Sequence, residues 1–255
     1  PIGPDRLGAV SGPPLGFGDD LFPPRPLRSR HLPVLTMTDI DPIPWRTDSI
    51  LPSPPAGAVP VLHDREYRVE SFLLDNGNLL IQGAVRDQKP PGVYIPDDPE
   101  PLTMHHMQVT LEVEFPSRII VSVEARLLAY PHDLCPSIEQ HYDELVGLSI
   151  ARGFTNKVRE LFGGPRGCSH TTALLQAMAP IAMQSTKSVE CIEAERAGEP
   201  NPIIVRPPSE SWKTLTNTCH VWADDGPRKA EVERGGVQTI PVDIRLQQLG
   251  RSPRT

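Results

Sequence analysis

The chain is short of several things, and each shortage narrows what it can be. Aromatic residues make up only 5% of its 255 positions. Hydrophobic residues reach 38%, below the roughly 45–50% of an ordinary globular domain. No apolar stretch approaches the ~18 residues that a membrane-spanning helix needs, so no membrane association is expected. Lysine and arginine form no basic run, and the net charge is −7, which argues against a nucleic-acid partner. The opening residues lack the basic start and apolar stretch of a secretion signal, and the expectation is a cytoplasmic protein. Cysteine is scarce too. The four thiols, Cys135, Cys168, Cys191 and Cys219, contain no Cys-x-x-Cys pair, which excludes a zinc ribbon or a thioredoxin-type motif. In a cytosolic chain such thiols are expected to be free.

Proline, by contrast, is abundant: 31 residues, of which fourteen fall within the first 60 positions. Segments such as "GPPLGFGDDLFPPRPLRSRHLP" lack the backbone donors that a helix or sheet interior requires. Residues 1–58 therefore read as a proline-rich arm, expected to wrap its own core or a neighbouring subunit and so to favour a homo-oligomer. A folded part follows over 59–228, and 229–255 forms a C-terminal extension.

The folded part opens with strands. "EYRVESFLLDNGNLLIQGAVRD" sets Asp75-Asn76-Gly77-Asn78 between two apolar runs, a hairpin signal. "MQVTLEVEF" and "RIIVSVEARL" then alternate with period two, as half-buried antiparallel strands do. Beyond them the period changes. Ser137 is placed to cap a helix through "IEQHYDELVGLSI", and Thr155 to cap "NKVRELF" ahead of Gly163-Gly164. A third helix starts near Ser169, with Pro180 expected to kink or divide it and residues 187–197 to continue it. "TNTCHVWADDG" and "VQTIPVDIRL" look extended and loop-like. The fold class is α+β: an antiparallel, meander-like sheet of about four strands packed against about three helices.

Chemistry concentrates around "GGPRGCSH". Cys168 stands at or just before a helix start, where unpaired N–H groups and the helix dipole favour a thiolate. His170 follows two positions later, a spacing that points side chains apart inside a regular helix. The two can share a site only if Cys168 precedes the helix proper. Element ends elsewhere add His105 and His106, His132 with Cys135, and Cys219 with His220. Mixtures of Cys and His suit zinc or iron.

Taken together, "HDREYRVESFLLDNGNLLIQGAVRDQKP", "EPLTMHHMQVTLEVE", "LVGLSIARGF", "GGPRGCSH" and "TCHVW" resemble the bacterial DUF2889 family, a domain of unknown function, over about residues 60–228. The positions that fit its pattern are His63, Asp87, Lys89, His105, Cys135, Gly167, Cys168, His170, Gln184 and Cys219. Ser169 stands where the family pattern has threonine. The resemblance implies a motif map and no activity. A looser outline likeness links the loop cysteine and the helix-opening "GC" to the NifU/SufU-type iron–sulfur scaffold, although this chain has prolines around Cys135 and no close third cysteine.

Three expectations follow. In the first, the chain is a small-molecule enzyme acting on an apolar or aromatic acid-type substrate, by metal-assisted hydrolysis or lyase and decarboxylating chemistry. Lys89 would hold a carboxylate with Gln184 beside the substrate, Asp87 or His105 would move a proton, and Cys168 with His170 would act as nucleophile and base or as metal ligands. In the second it is a non-catalytic zinc or iron–sulfur module built on Cys135, Cys168, His170 and Cys219. In the third it is an accessory or structural subunit whose thiols are core packing.

Overall fold

The first hairpin forms because Gly77 adopts a left-handed φ of +82° that a side chain would resist. The Asn76 side chain accepts the Asn78 N–H at 3.0 Å, and Leu74 N–H donates to Asn78 O at 2.9 Å, closing the turn. On either side run β1 (Asp64–Leu73) and β2 (Leu79–Lys89), and β3 (Leu102–Glu114) and β4 (Ile119–Ala129) complete the sheet. All neighbours are antiparallel in the order β1-β2-β3-β4, the expected meander. The computed structural model describes residues 50–51, 55–58, 62–151, 153–205, 210–236 and 241–252. The proline-rich arm, with the wrapping and oligomeric roles expected of it, lies almost wholly outside the described residues.

One face of the sheet is apolar and buried, through Ile81, Val85, Met107, Val109, Leu111 and Ile120. Against it lies α2 (Ser169–Ala197), which presents Leu174, Leu175 and Met178, all fully buried. Gly83 lets the helix approach: a Cβ there would stand 2.8 Å from Met178 Sδ. The other face carries Glu66, Arg68, Gln82 and Gln108, all exposed. This is the one-sided burial that alternating sequences encode.

Between sheet and α2 the chain departs from simple helical periodicity. Residues Cys135–Leu145 form a 3-10 helix rather than the α-helix expected from Ser137 onward. Pro136 sits in its first turn, and the chain beyond Leu145 must straighten to pair with β4. Gly147 N–H donates to Ile120 O and Ile150 N–H to Arg118 O, at 2.8 and 2.9 Å. The Glu139 carboxylate also accepts the Leu127 N–H at 2.6 Å, pinning this helix to the edge strand. Next, α1 (Phe154–Phe162) begins after Gly153, not Thr155, and ends at Gly163.

Pro180 does not divide α2: helical assignment is unbroken from Ser169 to Ala197, with Pro180 exposed. The C-terminal region expected to be extended instead contains α3 (Pro227–Glu233) and α4 (Pro241–Gln248), each with proline in its first turn. Four α-helices are thus present among the described residues, and no helix there is long and apolar enough to cross a membrane. The class is α+β.

Candidate functional site: a thiol, an imidazole and a buried carboxylate

The site begins with strand register. The first hairpin pairs Arg65 with Asp87, and the next pairs Asp87 with His105, so three adjacent strands contribute one row of side chains on the inner face. A register shift follows directly between Asp87 and Gln88, an irregularity of the kind that re-aims side chains beside sites. Asp87 is buried, its side chain 2% exposed. An isolated carboxylate there would be costly, but Arg65 closes on it as a fork, Nε to Oδ1 and Nη2 to Oδ2, both at 2.6 Å. His63 Nε2 approaches Oδ1 at 3.6 Å. Burial alone would raise the Asp87 pKa; the Arg65 hydrogen bonds and charge overcome it and hold the group at about 2. Asp87 is an anion at neutral pH.

From above, α2 delivers the other half. Cys168 is the residue just before the helix, with extended φ −83° and ψ 128°. That conformation turns its side chain toward His170, and Sγ lies 3.8 Å from His170 Nδ1. The opposite ring nitrogen, Nε2, is 3.1 Å from Asp87 Oδ2. Thiol, imidazole and carboxylate are therefore in series. The His105 ring stacks on that of His170 at 4.0 Å between centroids, with its Nδ1 3.2 Å from the same Asp87 oxygen but out of hydrogen-bond alignment.

The turn that presents Cys168 is tightly held. Its backbone N–H donates to the hydroxyl of Tyr142, a fully buried residue of the 3-10 helix. Thr172 Oγ1 donates to Phe162 O at 3.0 Å, tying α2 to the end of α1. Gly167 is required by space: a Cβ would meet Phe162 O at 2.6 Å.

Electrostatics follow from this arrangement. Burial pushes the Cys168 thiol up, but the His170 imidazole and the backbone N–H groups of Thr171 and His170 bring it down to about 7. His170 moves up, chiefly through its bond to Cys168 and also through the charge of Asp87. His105 moves down, because it is partly buried and lies beside His170. Two stacked imidazoles thus divide into one that prefers the proton and one that does not.

Beside the thiol opens a cleft of about 600 Å³. It is lined by Met107, Leu127, Pro131, Leu134 and Ile138, and by His105, His132, Cys135, Cys168 and His170 among others. Asp87, His105, Cys168 and His170 are brought together, and Cys135 shares the cleft. Lys89 is not in its lining; its Nζ lies over the Tyr94 ring at 5.0 Å. Gln184 is exposed and lies fifteen positions after Ser169 in α2, about 21 Å along the axis beyond His170. Neither expected substrate contact reaches the site. Cys219 is exposed and precedes the short 3-10 turn His220–Trp222.

Among the described residues, the side chains able to surround a cation are Asp87, His105 and His170, with one donor atom of each within 4.8 Å of the others. No thiol belongs to that group, so the set Cys135, Cys168, His170 and Cys219 is not assembled as a metal centre. Two histidines and a carboxylate suit iron or zinc by type. The donor set nevertheless fits poorly: both Asp87 oxygens are committed to the Arg65 guanidinium, whose positive charge would face the incoming ion. Arg65 was not anticipated as a site residue, and His63 was marked only as a position that fits the family pattern. The signal for Arg65 was available, because counting back from the Asn76-Gly77 turn sets it opposite Asp87.

Residues 63–184 match the model of a family described as Protein of unknown function (DUF2889). This stretch is the DUF2889-like part of the chain. Its match covers the row Arg65–Asp87–His105, Cys135, and the Cys168–His170 turn, and ends at Gln184, short of Cys219. No curated protein and no solved structure matches the chain.

Proposed function

We propose that the DUF2889-like part of this chain is a small-molecule hydrolase or acyl transferase in which Cys168 is the nucleophile, His170 its base and Asp87 the group that orients and supports His170. The observation that carries this proposal is the series Sγ–Nδ1 at 3.8 Å and Nε2–Oδ2 at 3.1 Å, beside an open cleft. An activated nucleophile, a base in reach and a third group fixing that base form the general pattern of covalent catalysis.

The chemistry runs in two stages. The Cys168 thiolate forms a bond to the acyl carbon of a carboxylic acid derivative, and the leaving group departs with the proton held by His170. Water then gives a proton to His170 and its oxygen to the acyl carbon. The carbon–sulfur bond breaks, releasing the acid and restoring the thiolate. Arg65 keeps Asp87 ionised throughout, so that His170 retains one tautomer and one orientation.

The test uses the full chain with p-nitrophenyl acetate. One equivalent of acetyl on Cys168, seen by mass spectrometry, with release of p-nitrophenolate, is expected. Cys168→Ser is expected to lose both while its melting temperature stays within a few degrees of the parent. Acetylation at other residues only, or undiminished turnover in Cys168→Ser, overturns the proposal. The alternative of a resident zinc or iron ion draws on Asp87, His105 and His170; it predicts about one equivalent of metal in protein purified without a histidine tag, where the Arg65 clamp predicts far less.

A further inference from the structure

Among the described residues, twelve line the cleft beside Cys168, and none of them is lysine, arginine, aspartate or glutamate. Positive groups of the neighbouring segments have other commitments, Arg166 among them, which donates to the Glu160 and Arg159 carbonyls. Arg65 places two nitrogens on Asp87, and Lys89 lies over Tyr94. His105, the lining imidazole stacked on His170, sits against the Asp87 carboxylate. A second carboxylate brought into the cleft by a substrate would therefore lose water without an uncommitted cation to receive it, since a protonated His170 already faces the Cys168 sulfur on one side and Asp87 on the other. Groups in that situation are strongly disfavoured. The walls supply the opposite preference. Met107 and Leu127 are buried in the sheet, Ile138 is half-buried on the 3-10 helix, and Leu134 forms an exposed rim. Met107 adds a side chain that adapts to differing shapes.

Resting on the Cys168 acyl-transfer proposal, we infer that the substrate is an uncharged ester or thioester of an apolar or aromatic acid whose acyl group carries no second carboxylate and packs against Met107, Leu127 and Ile138. The inference replaces the sequence expectation of an acid held by Lys89. An acid is the product here, and it forms in a cleft that offers its carboxylate no uncommitted cation.

The experiment compares two acyl groups of similar size on one leaving group: the p-nitrophenyl esters of 4-isopropylbenzoic acid and of 4-carboxybenzoic acid. Acylation of Cys168 by the uncharged ester is expected to be faster by about a hundredfold, the order set by desolvating an unpaired carboxylate. Lengthening an aliphatic acyl group from acetyl to butyryl should raise kcat/KM roughly tenfold. Leu134→Arg, at an exposed rim position that should not disturb folding, is expected to narrow the preference for the uncharged ester at least severalfold. Ile138→Lys should narrow it further where it folds. Equal or preferred acylation by the 4-carboxybenzoyl ester in the parent overturns the inference while the Cys168 mechanism stands. An unchanged preference in Leu134→Arg likewise counts against it. If neither ester, nor p-nitrophenyl acetate, acylates Cys168, the parent proposal falls and takes this one with it.

Discussion

Cys168 and His170 are two positions apart, a spacing that separates side chains within a helix, and they meet because the thiol belongs to the extended residue ahead of the first turn. The consequence is measurable. Alkylation by iodoacetamide requires the thiolate, so its rate should rise with pH and reach half its maximum near 7, where the Cys168 thiol titrates. His170→Ala removes the largest influence favouring the thiolate and leaves the burial that opposes it. The midpoint should move up, toward the ~8.5 of an ordinary thiol, with the backbone N–H groups of residues 170 and 171 still favouring the thiolate. A midpoint unmoved by His170→Ala would mean that the imidazole does not support the sulfur. Much of this was legible in the sequence, since a double glycine before a Cys-x-His at a helix start fixes the place. Arg65 was legible only through register, by counting back from the Asn76-Gly77 turn, since no local pattern marks it. Asp87 was expected to move a proton and Lys89 to hold a substrate carboxylate, but the strand sends the two to different environments.

At the scale of elements, the turn between α1 and α2 fixes the sulfur. Gly167 has no room for a side chain, since a Cβ would meet Phe162 O at 2.6 Å and Phe162 Cβ at 2.9 Å. Gly167→Ala must therefore displace the turn. We expect a loss of about 1–3 kcal/mol in urea unfolding, as overpacked sites show, together with slower alkylation of Cys168. Stability lost with alkylation unchanged would separate the turn from the thiol. Gly83→Val would press instead on Met178 and Leu174, lifting α2 from the sheet, with a stability loss in the same range. The strands were legible because alternation over ten or more residues leaves little choice, and the Asn-Gly turn set their register. The 3-10 helix was not. Ile138, Tyr142 and Leu145 recur at three- and four-residue intervals that suit either helix type, and the deciding influence is the pull of Val146–Ile150 onto the β4 edge. In the same way, α3 and α4 are too short for periodicity to reveal, and only Pro227 and Pro241 hinted at where they begin.

For the whole molecule, the buried carboxylate ties stability to pH. The ordinary value for Asp87 is 3.8, and in the folded chain it is held at about 2. A group depressed by folding contributes stability that is complete above its ordinary value and is lost as pH falls through the folded one. The contribution at neutral pH is on the order of 2 kcal/mol, and it should drain away between about pH 5 and pH 2. Other carboxylates titrate in the same window, so the parent curve alone does not isolate it. The comparison with Asp87→Asn does. That variant should be less stable at pH 7, having left Arg65 and His170 without their anion, and the gap should close as the solution is acidified. Arg65→Gln makes the complementary prediction. With the fork gone, burial is no longer outweighed and the Asp87 pKa rises, so the acid loss should shrink and the variant's deficit against the parent should narrow as pH falls. Unfolding free energies from urea titrations between pH 2.5 and pH 7 would show both trends. Parallel curves for the parent and Asp87→Asn would mean that Asp87 carries no folded-state shift, and that the anion on which His170 is hung is not held as the Arg65 geometry implies.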